Sequence, residues 1–429
     1  MPYIPQDVLY SITHHVTDPE DLKALSVTAR DFTAPAQTYL FRKTAVTINQ
    51  RRSLKNFTSF LQYTSSPIRT YIHALYLRGG WTLDNRQTTL TQDDVRKIID
   101  LLSSLKDLTL DQFEWIPHST SELIEYTHSE LKIISLRDIH TSSHRESPLE
   151  VLRFARNWDR VHIFDLQHRL VVPSIRLSPF SARTVILDHC PLYATNSDLL
   201  GAERPLLTGI ETLLMQDTVT TQTGLLKQLI KSSLETLQRL SIELCPARRM
   251  SPVSLWKHAL QTLSKCETLR YVRVIIPLER RWTSIPLGSS NSLGLHIEVL
   301  LQILAAMPRC VLACEITVDF PLYISTPQAR RLLRRLPWQQ IQTSLKGLSH
   351  LQVVIIRVND GFLPTSLRWT EQDTINVRSK LQVLPKTKGS LEETVMYFYK
   401  TDEGLREAQD ICETAYKEFT YDAFYYEFM

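Results

Sequence analysis

Four arginines, Arg330, Arg331, Arg334 and Arg335, fall on one face of a helical stretch with leucines between them. Guanidinium groups at that spacing suit an acidic segment or a phosphate, because each fork binds an oxyanion in two places. A solvated basic helix face has the same pattern and is the plainer reading. Metal chemistry needs Cys or His at ligand spacing. The close pairs are Cys310-x3-Cys314 and His14-His15. Cys314 falls on a strand pattern and the histidines on an amphipathic helix, so a buried thiol and solvated imidazoles account for them. The chain contains no G-x-S-x-G, G-x-x-x-x-G-K-[ST], G-x-G-x-x-G or H-E-x-x-H. It marks neither a nucleotide cradle nor an activated nucleophile. The reading is a non-enzyme, with no cofactor and no metal.

Bulk properties narrow the class. The 429 residues are 43% hydrophobic and 22% charged, ordinary for a globular protein. Glycine (11) is scarcer than proline (21), which disfavours phosphate loops and flexible linkers. The net charge is +4, yet residues 391–429 hold ten acids and three bases, so the remainder is mildly basic. No dense Lys/Arg block accompanies it, and a nucleic-acid partner is not expected. The most apolar stretch, Gly294 to Met307, is broken by His296, Glu298 and Gln302 and falls short of the ~18 residues a span requires. The N-terminus lacks a basic region followed by an apolar core. Six cysteines without a C-x-x-C pair fit reduced thiols. The expectation is a cytoplasmic or nuclear protein, neither secreted nor membrane-bound.

Two kinds of element must position any site. The first is a proline-punctuated helical module. Pro5 suits a helix start, and Val8, Leu9, Ile12 and Val16 follow on one face. Asp18 caps a second helix that opens at Pro19 and bears Leu22, Leu25 and Ala29. Pro35 opens a third with Ala36, Tyr39 and Leu40. Three short helices bury little surface alone and favour docking on another protein.

The second kind is a repeat, apolar-x-x-apolar-x-apolar. It occurs as Ile72-x-x-Leu75-x-Leu77, Leu105-x-x-Leu108-x-Leu110, Leu131-x-x-Ile134-x-Leu136, Trp158-x-x-Val161-x-Ile163 and Ala182-x-x-Val185-x-Leu187. It continues as Ile210-x-x-Leu213-x-Met215, Leu237-x-x-Leu240-x-Ile242, Leu269-x-x-Val272-x-Val274, Val311-x-x-Cys314-x-Ile316 and Leu348-x-x-Leu351-x-Val353. The last two apolar positions alternate as one face of a strand does. Helical stretches fall between copies, at Thr91–Leu105, Thr223–Leu237 and Ser251–Cys266. Strand plus helix stacks into a parallel-stranded solenoid. The pattern resembles leucine-rich repeats, with Cys190 and Cys245 alone fitting their Asn/Cys position. Insertions are expected at Pro277–Gly294 and from about Asn359 to Ser390. An α/β domain with a single sheet is the alternative; ten strand-like copies favour the solenoid. A helix over Gly404–Phe419 is expected to cap the solenoid's end, followed by an acidic aromatic tail.

The first module resembles the F-box as found in large fungal families. Ile4, Pro5, Asp7, Val8, Leu9, Ile12, Val16, Asp18, Pro19, Leu22, Leu25, Ser26, Arg30, Phe32, Pro35, Leu40, Phe41 and Arg42 match it. It departs at Gln6-Asp7, often Pro-Glu in the family, and at Thr28-Ala29, often Val-Ser or Val-Cys. The resemblance implies an α/β chain: a three-helix F-box (1–45), a connecting helical segment (46–70), an irregular leucine-rich-repeat-like horseshoe (71–400), then the capping helix and tail (401–429). It implies a substrate receptor of an SCF-type ubiquitin ligase. Ile4, Pro5, Val8, Leu9, Ile12, Val16, Leu22, Leu25, Phe32, Pro35, Leu40 and Phe41 would bind a Skp-type adaptor, and through it cullin and RING subunits. The open face of the repeats would bind a protein substrate of unknown identity. Its side chains would be Tyr76, Arg78, Asp111, Arg137, His162, Phe164, Asp188, Gln216, Glu243 and Arg273, with Thr109, Ser135, Ser241, Glu315 and Gln352 among them. A ligase-independent interaction scaffold with a drifted F-box is the alternative.

Overall fold

The computed structural model describes residues 5–28, 30–49, 51–63, 66–80, 87–116, 128, 130–141, 148–164, 180–188, 207–218, 223–244, 253–277, 291–319, 334, 336–359, 377, 379, 384, 386–389 and 395–419. The chain is α/β with a mostly parallel, open arrangement of strands. It divides into two compact units, Met1–Ser181 and Ala182–Met429.

The first unit opens with three helices, α1 (Gln6–His14), α2 (Pro19–Thr28) and α3 (Arg30–Arg42). Pro5 precedes α1 at the cap position, with φ −56° and ψ 145°. Asp18 caps α2, its Oδ1 accepting from Glu20 N at 2.8 Å. Two expectations need correction. Val16 lies beyond the end of α1, its N–H turning back to Thr13 O. Pro35 does not open α3; the helix starts at Arg30 and Pro35 lies inside it. A proline there removes one helical N–H, and burial of Pro35 and Ala36 offsets the loss. α3 packs against both α1 and α2.

β1 (Lys43–Thr47) follows directly and pairs with a strand of the repeat, so the sheet begins earlier than the expected start at residue 71. α4 (Arg51–Tyr63) and α5 (Ser66–Tyr71) make the helical connection. Then come β2 (Ala74–Arg78), β3 (Thr89–Thr91), α6 (Gln92–Leu101), β4 (Asp107–Asp111), β5 (Glu114–Ile116), β6 (Ile133–Arg137), β7 (His140–Thr141) and β8 (Asn157–Phe164). β1, β2, β4, β6 and β8 form a parallel ladder in that order, and β3, β5 and β7 a smaller parallel one. Leu75, Leu108, Ile134 and Val161 share one register row, and Leu77, Leu110, Leu136 and Ile163 the next. These are the repeat's alternating positions, and all eight are buried. Thr91 opens α6 with a capping box: its Oγ1 accepts from Asp94 N, and Asp94 Oδ2 accepts from Thr91 N, both at 3.2 Å.

The second unit contains β9 (Phe180–Asp188), β10 (Leu207–Thr208), β11 (Thr212–Thr218), α7 (Thr223–Ser232), β12 (Arg239–Leu244), α8 (Val253–Leu260), β13 (Tyr271–Pro277), α9 (Asn291–Ala306), β14 (Ala313–Asp319), α10 (Trp338–Lys346), β15 (Val353–Asn359), β16 (Lys386–Gly389), β17 (Val395–Tyr399) and α11 (Asp402–Phe419). β9, β11, β12, β13, β14 and β15 are parallel neighbours in chain order. Right-handed crossovers that always step the same way put their helices on one side of the sheet. Neighbouring helices α7, α8, α9 and α10 indeed pack in succession. Leu213, Leu240, Val272 and Cys314, expected on one face, share a row with Val354, and all five are buried.

That row corrects the tenth repeat. Cys314 aligns with Val354 and Ile316 with Ile356, so the copy reads Leu351-x-x-Val354-x-Ile356, three residues later than expected. Gln352 therefore precedes β15 instead of facing outward from it. Leu348 is apolar and buried in its own right, which disguised the offset. β17 runs antiparallel between β15 and β16; β16 falls inside the expected second insertion and β17 just after it. α11 packs against β15 and β17, near the end of the ladder. Its Ala408 lies in one cluster with Tyr271, Ala313, Val353, Ile355 and Val395, on the face opposite the repeat helices. The edge is covered by the antiparallel strands.

Candidate functional site

The helical module divides its apolar residues in two. Leu9, Leu22 and Pro35 are buried and hold the three helices together. Val8 and Ile12 stand 42% and 44% exposed, four residues apart on α1, with Pro5 exposed beside them. Val16, Leu25, Phe32, Leu40 and Phe41 are half-buried. Ile4 lies outside the described residues. Val27, 83% exposed on α2, was not anticipated. Its signal is its place off the Leu22–Leu25 stripe, in a helix too short to need a second apolar face. Phe60 and Tyr63 of α4 are also exposed, one turn apart.

The outward face of the first unit's ladder brings most of its expected site residues together. Tyr76, Thr109, Ser135 and His162 share one row, and Arg78, Asp111, Arg137 and Phe164 the next. Tyr76, Asp111 and His162 are nevertheless buried, and Arg78, Arg137 and Phe164 are half-buried. Tyr76 Oη donates to Asp111 Oδ2. Arg78 Nε donates to Gln112 Oε1 at 3.2 Å and lies 3.8 Å from Asp111 Oδ2. Burial raises the Asp111 carboxyl above its ordinary range; the Tyr76 hydroxyl and the Arg78 and Arg137 charges pull it back, and Asp138 pushes it up. The strands end in tight turns. Gln112 and Asp138 have φ 60° and 45°, and His140 Nε2 lies 2.9 Å from Asp138 Oδ1.

The outward face of the second unit behaves alike. Asp188 is buried, and Gln216, Glu243 and Arg273 are half-buried. Ser241, Arg273, Glu315 and Ile355 form one row. Glu315 is the centre of a network. It accepts from Tyr271 Oη at 2.8 Å, Arg357 Nε at 2.8 Å and Thr317 Oγ1 at 3.0 Å, with Arg273 Nε at 3.4 Å. Burial pushes this carboxyl up, but the charges of Arg273 and Arg357, with the Arg357 and Tyr271 hydrogen bonds, hold it below its ordinary value. Arg357 and Tyr271 escaped the sequence reading, Arg357 because the tenth repeat was placed three residues early. The alternation Val353, Ile355, Arg357 would have revealed it.

None of the ten expected substrate residues is fully exposed, and four are buried. Several of these side chains pair across adjacent strands, as Tyr76 and Arg78 do with Asp111, and Tyr271, Arg273 and Arg357 with Glu315. Cys266, Cys310 and Cys314 are free thiols; burial pushes each upward, which makes a poor nucleophile. Among the described residues no group of three or more His, Cys, Asp or Glu is arranged for a metal, and no helix is long and apolar enough to cross a membrane. Cys190, Cys245, Arg330, Arg331, Arg335 and the tail beyond Phe419 lie outside the described residues. In comparisons of the whole chain with known proteins, no protein-family model matches it, and no curated protein matches its sequence.

Proposed function

We propose that this chain is a substrate-receptor subunit of an SCF-type ubiquitin ligase. Its N-terminal module binds a Skp-type adaptor and its repeats hold a protein substrate. The observation that supports this best is the division of apolar residues in α1–α3. Leu9, Leu22, Pro35 and Ala36 close the module, while Val8, Ile12 and Val27 are left outside it. Exposed apolar residues on so small a unit are what a docking surface requires. The repeat supports the second half of the reading, since in each unit parallel strands in register present rows of side chains to a partner. Ubiquitin transfer then belongs to the partners, and the receptor acts by raising the local concentration of a substrate lysine.

The test is capture by a purified Skp-type adaptor. Val8→Glu combined with Ile12→Glu places two charges on the exposed face and leaves the module's interior intact. Affinity is expected to fall at least about 100-fold, a loss of roughly 3 kcal/mol, with the circular dichroism spectrum unchanged. Leu9→Glu does not serve, because Leu9 is buried and a charge there unfolds the module. A folded wild-type chain that fails to bind the adaptor overturns the ligase reading and leaves a ligase-independent scaffold.

A further inference from the structure

We draw no further inference here: the strongest candidate, the apolar patch that Phe60 and Tyr63 form on α4, 49% and 87% exposed, carries nothing because nothing in the structure shows what covers it.

Discussion

Glu315→Gln probes the outward-face network most directly. The glutamate is 2% exposed and shared by two arginines, a tyrosine and a threonine. Removing one member of a buried ion set costs about 3–5 kcal/mol. Glutamine keeps a carbonyl acceptor, and one retained hydrogen bond returns about 1 kcal/mol. The expected loss is therefore about 2–4 kcal/mol, read as a lower urea midpoint at pH 7 by circular dichroism. The sign with pH follows from the depressed folded-state pKa. The glutamate's stabilisation is complete above its ordinary value of 4.5 and is lost as pH falls through the lower folded value. The gap between wild type and variant should stay constant from pH 7 to about pH 5.5 and narrow below about pH 4.5. Adding Arg357→Gln should cost less than the sum of the single changes, because both act on one network. A gap at pH 7 under about 1 kcal/mol, or one that widens in acid, would refute the reasoning.

Gly79→Ala should destabilise by about 1–3 kcal/mol, since a Cβ there collides with the Gln112 carbonyl and lies 2.8 Å from Phe113 Cδ1. Gly347→Ala meets nothing nearer than Ser344 O at 3.4 Å and has a helical backbone, so its thermal midpoint should be unchanged or slightly raised. Burial pushes Asp107 up from 3.8 to about 6, against the pull of Arg160, Lys43 and Arg137. Its charge therefore costs nothing near pH 3.5, and the cost grows as pH rises to about 6; Asp107→Asn should match wild type at pH 3.5 and exceed it by up to about 3 kcal/mol at pH 7.5 in urea midpoints. Thr91→Ala should lose about 1 kcal/mol by removing the capping box of α6, with faster amide exchange confined to its first turn.

The strands were legible because period two is a strong signal when one face is buried. All ten repeat copies fall on or beside a strand, and nine fall in register. The tenth slipped because Leu348, Leu351 and Val353 satisfy the pattern as well as Leu351, Val354 and Ile356 do. Residue type alone does not distinguish two overlapping apolar triplets. β1 was missed because Ala45 and Val46 give too short a run to stand out after a helix. Pro35 misled by a general preference: proline favours helix starts, but packing of α3 on α1 and α2 outweighs one lost hydrogen bond. Alternation put the outward residues into common rows. Alternation says which side a residue faces and nothing about what its neighbours do with it. Asp111 and Glu315 are acids on the expected face, and each spends its charge on that face's own arginines and tyrosines.

The position of α11 follows from how the ladder stops. Each parallel strand must return by a crossover, which commits the next helix to the repeat side. After β15 the last neighbour, β17, is antiparallel and needs no crossover. Its chain leaves where β15 begins, as the bond from Lys400 N to Gln352 O at 2.9 Å records. Among the described residues no further strand of the ladder follows, and α11 takes the other face. It begins at the end where that face is apolar. Tyr271, Ala313 and Val353 share the first row, with Ile355 in the second and Val395 in the third, while Arg273, Glu315 and Arg357 hold the charged positions alongside. Tyr271 belongs to both, its ring in the apolar strip and its hydroxyl on Glu315.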